Sequence, residues 1–183
     1  MRKLLSALLL AALALSAAAP NAPKVPRKAA EFVIQTPGAG ERLLSSYRGK
    51  TVVLSLMFTT CPHCQNIAKL LSTIQTEYAA KGVQVLGATF DQGANQRYLQ
   101  FNQMFVKGFP CGISNQDAVL QFLQHPAAEP FFVPILVFID KTGMIRSQYI
   151  GDEKFLSNPE VNIRAEIDKT LKLGGGGVAP SAK

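Results

Sequence analysis

Thr51-Val52-Val53-Leu54-Ser55-Leu56-Met57-Phe58-Thr59-Thr60-Cys61-Pro62-His63-Cys64 is the stretch that decides how the chain is read. From Val52 to Phe58 it is apolar at nearly every position, the pattern of a strand buried on both faces. Beyond the cysteines, Ile67, Leu70, Leu71, Ile74 and Tyr78 fall on one face of a helix running from about Pro62 to Ala80. Pro62 suits the first turn of that helix, whose N–H groups have no intrahelical partner. A strand that ends in two cysteines and feeds straight into a helix sets the first sulfur at the helix N-terminus. The unpaired N–H groups and the helix dipole favour an anion there. That anion is the Cys61 thiolate, the form that attacks disulfides. The pattern therefore predicts Cys61 as the exposed attacking sulfur and Cys64 as the more buried resolving one.

Working outward, Phe32-Val33-Ile34 reads as a short strand, and Thr36 to Gly40 as a turn. Gly82 stops the first helix, and Val83 to Thr89 is a second strand. Asp91 to Gly93 turns into a second helix over Asn95 to Val106, with Tyr98, Phe101, Met104 and Phe105 as its apolar side. Gly108 to Gly112 is a short extended piece. Ser114, with Asp117 three residues on, reads as the N-cap of a helix ending at Leu123. Phe131 to Ile139 is a strand interrupted by Pro134, which does not fit inside a central strand. A bend or cis bond at Val133–Pro134, just before the strand, resolves the conflict. Lys141-Thr142-Gly143 turns into Met144 to Ile150. Residues 159–172 form the last helix, with Val161, Ile163, Ala165, Ile167 and Leu171 apolar. This order implies an α/β fold, one mixed sheet with helices on both faces.

The chain has 183 residues, enough for one domain with a real core. Its formal charge of +7 includes Arg2 and Lys3 at the extreme N-terminus. No basic run interleaved with aromatics appears, so nucleic acid is not an expected partner; a mild attraction to anionic surfaces is. Residues 1–19 read as a secretory signal: Arg2-Lys3, an apolar stretch to Leu15, then small residues with cleavage after Ala18. No other segment could cross a membrane, so no stable span is expected after cleavage, and a periplasmic or otherwise exported protein is implied. Residues 20–30 read as a solvated linker, 31–173 as the folded domain and 174–183 as a flexible Gly-rich tail. Outside the cytosol a cysteine pair can persist as a disulfide, and three cysteines leave one over. Cys111 reads as a small buried hydrophobe.

These residues together resemble the thioredoxin fold, most closely the exported TlpA/ResA-like branch, which overlaps with the redoxin and AhpC-TSA families. The resemblance spans about residues 30–172. It rests on Tyr47-Arg48-Gly49-Lys50 before an apolar strand, Cys61-x-x-Cys64, Val133-Pro134 before a strand, and Ile139-Asp140-Lys141-Thr142-Gly143. It implies a thioredoxin-fold sheet with an N-terminal β extension and a central αβ insertion. It further implies thiol–disulfide exchange by Cys61 and Cys64 facing a cis-proline loop at Pro134, with no cofactor. The implied partners are cysteine-containing protein substrates and an upstream redox partner. Two departures stand out. The chain has no tryptophan, whereas many relatives carry a tryptophan-rich lead-in where Thr59-Thr60 stands here. Ser55 occupies the place of the buried acid of thioredoxins. Pro62-His63 is the dipeptide of the DsbA family of oxidants, though the chain lacks room for that family's large helical insertion.

Pro62 and His63 are the expected redox-tuning residues. A protonated His63 adds positive charge within a turn of the sulfur, and a neutral one still donates a hydrogen bond. Stabilising the thiolate stabilises the reduced form, so the disulfide is expected to be more oxidising than thioredoxin's. The Val133 backbone, set by Pro134, offers an edge with which an extended substrate could pair. Phe131 and Phe132 read either as an apolar docking surface or as ordinary packing. Two rival readings remain open at this point. One is an SCO-like copper-binding chaperone holding Cu(I) on the two thiolates with His125. The other is a thiol-dependent peroxidase, but that site needs a proline and a threonine where Leu54 and Phe58 stand. No resident metal is expected on the oxidoreductase reading.

Overall fold

The computed structural model describes residues 24–173. Within them one eight-stranded mixed sheet has the order β1-β8-β7-β4-β5-β6-β2-β3. The strands are β1 (Arg27–Lys28), β2 (Val33–Thr36), β3 (Gly40–Leu43), β4 (Thr51–Met57), β5 (Val83–Thr89), β6 (Cys111–Ile113), β7 (Ile135–Ile139) and β8 (Met144–Ile150). The helices are α1 (Pro62–Tyr78), α2 (Ala94–Phe105), α3 (Gln116–Leu123), α4 (Glu153–Leu156) and α5 (Pro159–Leu173). The expected signal segment and the Gly-rich tail lie outside the described residues.

The apolar run before the cysteines is the central strand. Every residue of β4 is buried. It pairs in parallel with β5 and antiparallel with β7. Alternation along β4 divides the core. Val53 and Met57 face α1, α2 and α5, where they meet Ile67, Leu71, Ile74, Phe101, Ile163 and Ile167. Val52, Leu54 and Leu56 face α3 and the N-terminal arm, against Val119, Phe122, Leu123, Phe32 and Ile34. Each fully buried side chain of this size stabilises the fold by about 1.5–3 kcal/mol. The stripe of α1 thus fixes that helix against the sheet. Helix α1 passes into a short 3-10 turn over Ala79–Lys81 and stops at Gly82, whose φ of 82° is left-handed.

Several details differ from the sequence reading. The segment that reads as a linker enters the sheet: Arg27–Lys28 pair with Ile145 and Met144 on the free edge of β8. Arg27 Nη2 donates to Phe122 O at 3.0 Å and to Gln148 Oε1 at 2.8 Å, and Ala29 is buried. A two-residue pairing leaves no periodicity to detect. The N-cap of α3 is Asn115, not Ser114: Asn115 Oδ1 accepts from Ala118 N at 2.8 Å, while Ser114 N is held by Thr89 O. Met104 and Val161 are exposed. At about 100° per residue, Val161 falls on the face of α5 opposite buried Ile163 and Ile167, and Met104 at the edge of the α2 stripe.

Candidate active site

Three residues, Phe58-Thr59-Thr60, turn the chain from the end of β4 into α1. Cys61 is the N-cap residue, with extended φ −84° and ψ 117°. Its Sγ accepts a hydrogen bond from Cys64 N at 3.4 Å, the bond an N-cap side chain makes to the third helical residue. Pro62 occupies the first helical position and needs no such partner. Cys61 is half-buried, Pro62 and His63 are exposed, and Cys64 is 0 % exposed. Both sulfurs are free thiols. Burial pushes the Cys64 thiol strongly up. A backbone hydrogen bond involving Phe58 opposes this, and neighbouring Cys61 and Asp91 add to it.

Across from the helix start lies the segment before β7. Cys61 Sγ is 4.0 Å from the carbonyl oxygen of Val133. The Val133–Pro134 peptide is cis. Val133 is half-buried and Pro134 buried. The two phenylalanines here part company. Phe131 packs inward, its ring 6.3 Å from Phe58 and 5.9 Å from Phe90. Phe132 is 68 % exposed. Beside it runs a groove of about 360 Å³ bounded by His63, Phe132, Val133, Pro134, Glu153 and Leu156. A larger hollow of about 580 Å³ lies between β2 and α3. It has no cysteine or histidine in its walls, so the smaller groove is the one next to the chemistry.

One cluster escaped the sequence reading. Asp91, taken as a turn residue, accepts from Thr59 N at 2.7 Å on Oδ1 and from Thr59 Oγ1 at 2.6 Å on Oδ2. Arg97 Nη2 donates to Asp91 Oδ2 at 2.7 Å, and Arg97 Nε to Thr59 Oγ1 at 2.9 Å. Gln65 Nε2 donates to Thr59 O at 3.0 Å. Burial alone would raise the Asp91 carboxyl, but the bonds from Thr59 and Arg97 outweigh it and hold it below the usual carboxylate range. The signal that would have found it is register. Met57 pairs with Thr89 in the parallel ladder, so the residues two beyond each, Thr59 and Asp91, leave the sheet side by side.

The remaining chemistry-bearing residues make no hydrogen bond to the pair among the described residues. Ser55 is 0 % exposed, and its Oγ has no partner among the described residues. Cys111 is buried, and burial pushes its thiol up to about 12. His125 Nε2 lies 3.3 Å from Glu129 O, and its ring meets Phe131 edge-on. Among the described residues no three His, Cys, Asp or Glu side chains converge as a metal site. The copper reading offers His125 as an added ligand beside the two thiols, and its observed partners are Glu129 O and the Phe131 ring.

Comparison with known proteins follows the same line. Residues 25–149 match the model of the AhpC/TSA family. The chain is similar to thiol-disulfide oxidoreductase ResA of Geobacillus kaustophilus (strain HTA426), at 28 % identity over 123 residues, 67 % of each chain. Its fold is similar to that of the thioredoxin-like superfamily protein SPOA0173, with a TM-score of 0.62 at 26 % identity, covering 84 % of this chain and 99 % of that one. It is also similar to a thiol:disulfide interchange protein of the thioredoxin family from Chlorobium tepidum TLS, with a TM-score of 0.59 at 16 % identity, covering 80 % and 99 %.

Proposed function

This chain belongs to the AhpC/TSA family, as a TlpA/ResA-like oxidoreductase of thioredoxin fold, and we propose that it exchanges disulfides with cysteine-containing proteins through Cys61 and Cys64. The observation that carries the reading is the contrast between the two sulfurs. Cys61 is accessible at a helix start, receives an N–H from Cys64, and lies 4.0 Å from the Val133 carbonyl. Cys64, one turn on, is sealed from solvent. The first position is open to a substrate, whereas burial opposes an anion at the second.

In the proposed reaction the Cys61 thiolate attacks one sulfur of a substrate disulfide. A bond forms between Cys61 and the substrate, the substrate S–S bond breaks, and the departing thiolate takes a proton. Cys64 then loses its proton and attacks Cys61. The Cys61–Cys64 disulfide forms and the second substrate sulfur leaves as a thiol. The substrate gains two electrons and the protein loses them; the reverse direction oxidises a dithiol. Pro62 and His63 tune the pair. The Val133 edge beside Pro134 receives the extended substrate backbone, and an upstream redox partner resets the protein. Export, directed by a cleaved leader ending at Ala18, completes the reading, since it puts the pair where disulfides persist.

The test is a pair of substitutions assayed on a protein disulfide. Cys61→Ser is expected to abolish exchange, and Cys64→Ser to accumulate a mixed disulfide, visible by mass and released by reductant. Full turnover by the Cys61 variant, or no trapped species on the Cys64 variant, would overturn the assignment.

A further inference from the structure

Granted the exchange chemistry proposed above, we infer that Asp91, with Arg97 bound to it, is a positioning residue for the redox pair: it pins the approach to Cys61 through Thr59, and its charge, offset by Arg97, governs how readily Cys64 resolves a mixed disulfide. The geometric half rests on Thr59. This residue is 5 % exposed and stands two positions before Cys61. All its polar groups are taken by three elements: Asp91 beyond β5 binds the N–H and hydroxyl, Arg97 of α2 the hydroxyl, and Gln65 of α1 the carbonyl. The loop that delivers the first sulfur therefore has one position, set by the β5–α2 connection rather than by the helix alone. A neighbouring bond, from Phe90 N to Met57 O at 3.1 Å, ties the two strand ends together just beneath.

The electrostatic half follows from where the carboxylate lies. The Asp91 side chain is 8 % exposed and ion-paired to Arg97 at 2.7 Å. Burial is the chief obstacle to ionising Cys64; Cys61 from the helix start and then Asp91 from the loop add to it. Arg97 also donates to Gln92 O, which fixes its guanidinium over the carboxylate. In the resolving step the Cys64 proton leaves to solvent, its thiolate attacks Cys61 Sγ, and the substrate sulfur departs and is protonated. Removing the Asp91 charge should ease that proton loss, and removing the Arg97 charge should hinder it. A purely structural clamp would respond alike to both.

The experiment uses the reduced full chain and an aromatic disulfide that releases a coloured thiolate twice, first on attack by Cys61 and then on resolution by Cys64. Cys111 is buried and does not compete. Each tenfold gain in ionised Cys64 brings an approximately threefold loss in nucleophilicity, so the second release should speed up by only about threefold per tenfold gain in thiolate. Asp91→Asn is expected to accelerate the second release and move its pH profile to lower pH. Arg97→Gln is expected to slow it and move the profile to higher pH. Thr59→Val should slow the first release, and Thr59→Ser should restore it. Two slowed variants, or two unchanged ones, overturn the inference. If Asp91→Asn fails to fold by circular dichroism, the Arg97 variant decides, because that side chain is 40 % exposed: slower second release supports the inference, unchanged or faster release overturns it. If the wild type never makes the second release, the exchange reading itself falls and takes this one with it.

Discussion

Replacing Gly151 by alanine tests whether the loop facing the sulfurs is held by close packing. Gly151 follows β8 with φ +54°. A side chain in that left-handed conformation costs about 1–2 kcal/mol. The added Cβ would also lie 2.3 Å from Phe132 Cβ and 2.8 Å from its carbonyl carbon and oxygen. Ordinary contact begins at 3.4 Å, so the Phe132 backbone must retreat by roughly 1 Å. Phe132 adjoins Val133, whose carbonyl stands 4.0 Å from Cys61 Sγ. The cost fits within the roughly 5–15 kcal/mol by which a domain is stable, so the variant should fold, with its urea midpoint lowered. A misplacement of this size can cost up to about 10²-fold where reacting groups must be aligned. Exchange with a cysteine-containing peptide disulfide should therefore fall by one to two orders of magnitude. Alkylation of Cys61 by iodoacetamide should change far less, because the Thr59 contacts that hold the start of α1 involve Asp91, Arg97 and Gln65 and not the Gly151 loop. If peptide exchange persists at the wild-type rate in the destabilised variant, the Val133 edge is not the substrate surface. If alkylation falls equally, the damage is general and the argument fails.

Other consequences are measurable in the same material. Timed alkylation of the reduced native protein, read by peptide mass spectrometry, should label Cys61 first. Cys64 and Cys111 should react only on unfolding, since both are buried and burial pushes Cys111 up to about 12; labelling of Cys111 as fast as Cys61 would contradict this. Asp140 accepts from Thr142 N, Thr142 Oγ1, Met144 N and Arg146 Nε. Burial would raise its carboxyl, but these bonds outweigh it and hold it below the usual range. A depressed carboxyl stabilises the fold above its unfolded value and loses that contribution as pH falls through the folded one. Asp140→Asn should therefore cost about 1–3 kcal/mol near neutrality and flatten the acid limb of stability against pH. An acid limb as steep as in the wild type would show that the stabilisation lies elsewhere.

How much of this was legible depended on how much of the signal was local. The β4 run and the α1 stripe are dense, and one strand plus one helix with two cysteines between them already orients the site. Pro134 was informative because an N–H is missing: β7 begins at Ile135, immediately after it. The turn at Asp140 to Gly143 was likewise carried by adjacent residues. What escaped depends on register or on tertiary cover. Asp91 becomes a partner of Thr59 only once β4 and β5 are aligned, and nothing in Asp91-Gln92-Gly93 says which loop it will meet. β1 gains its place from the unfilled edge of β8 and from Arg27 reaching Phe122 and Gln148, contacts 95 and 121 positions away in sequence. α4 is a single turn capped by Asp152, whose Oδ1 accepts from Phe155 N at 2.8 Å, too short to carry a stripe.

The spacing of the cysteines explains why one turn of helix is enough to give two sulfurs different surroundings. The N-cap residue is not yet helical, so Cys61 projects from the end of the helix, while the third helical position turns Cys64 onto the face that α1 lays against Val53 and Met57. The Cys64 N–H then points back at the Cys61 sulfur. Each helical residue rotates the side chain by about 100°. One further residue between the cysteines would swing the second sulfur off the sheet-facing side toward solvent. It would then lose the burial that pushes its thiol up. The two-residue spacing therefore couples access for one sulfur to protection for the other, and the Thr59–Asp91 contact keeps the entry to that turn in place.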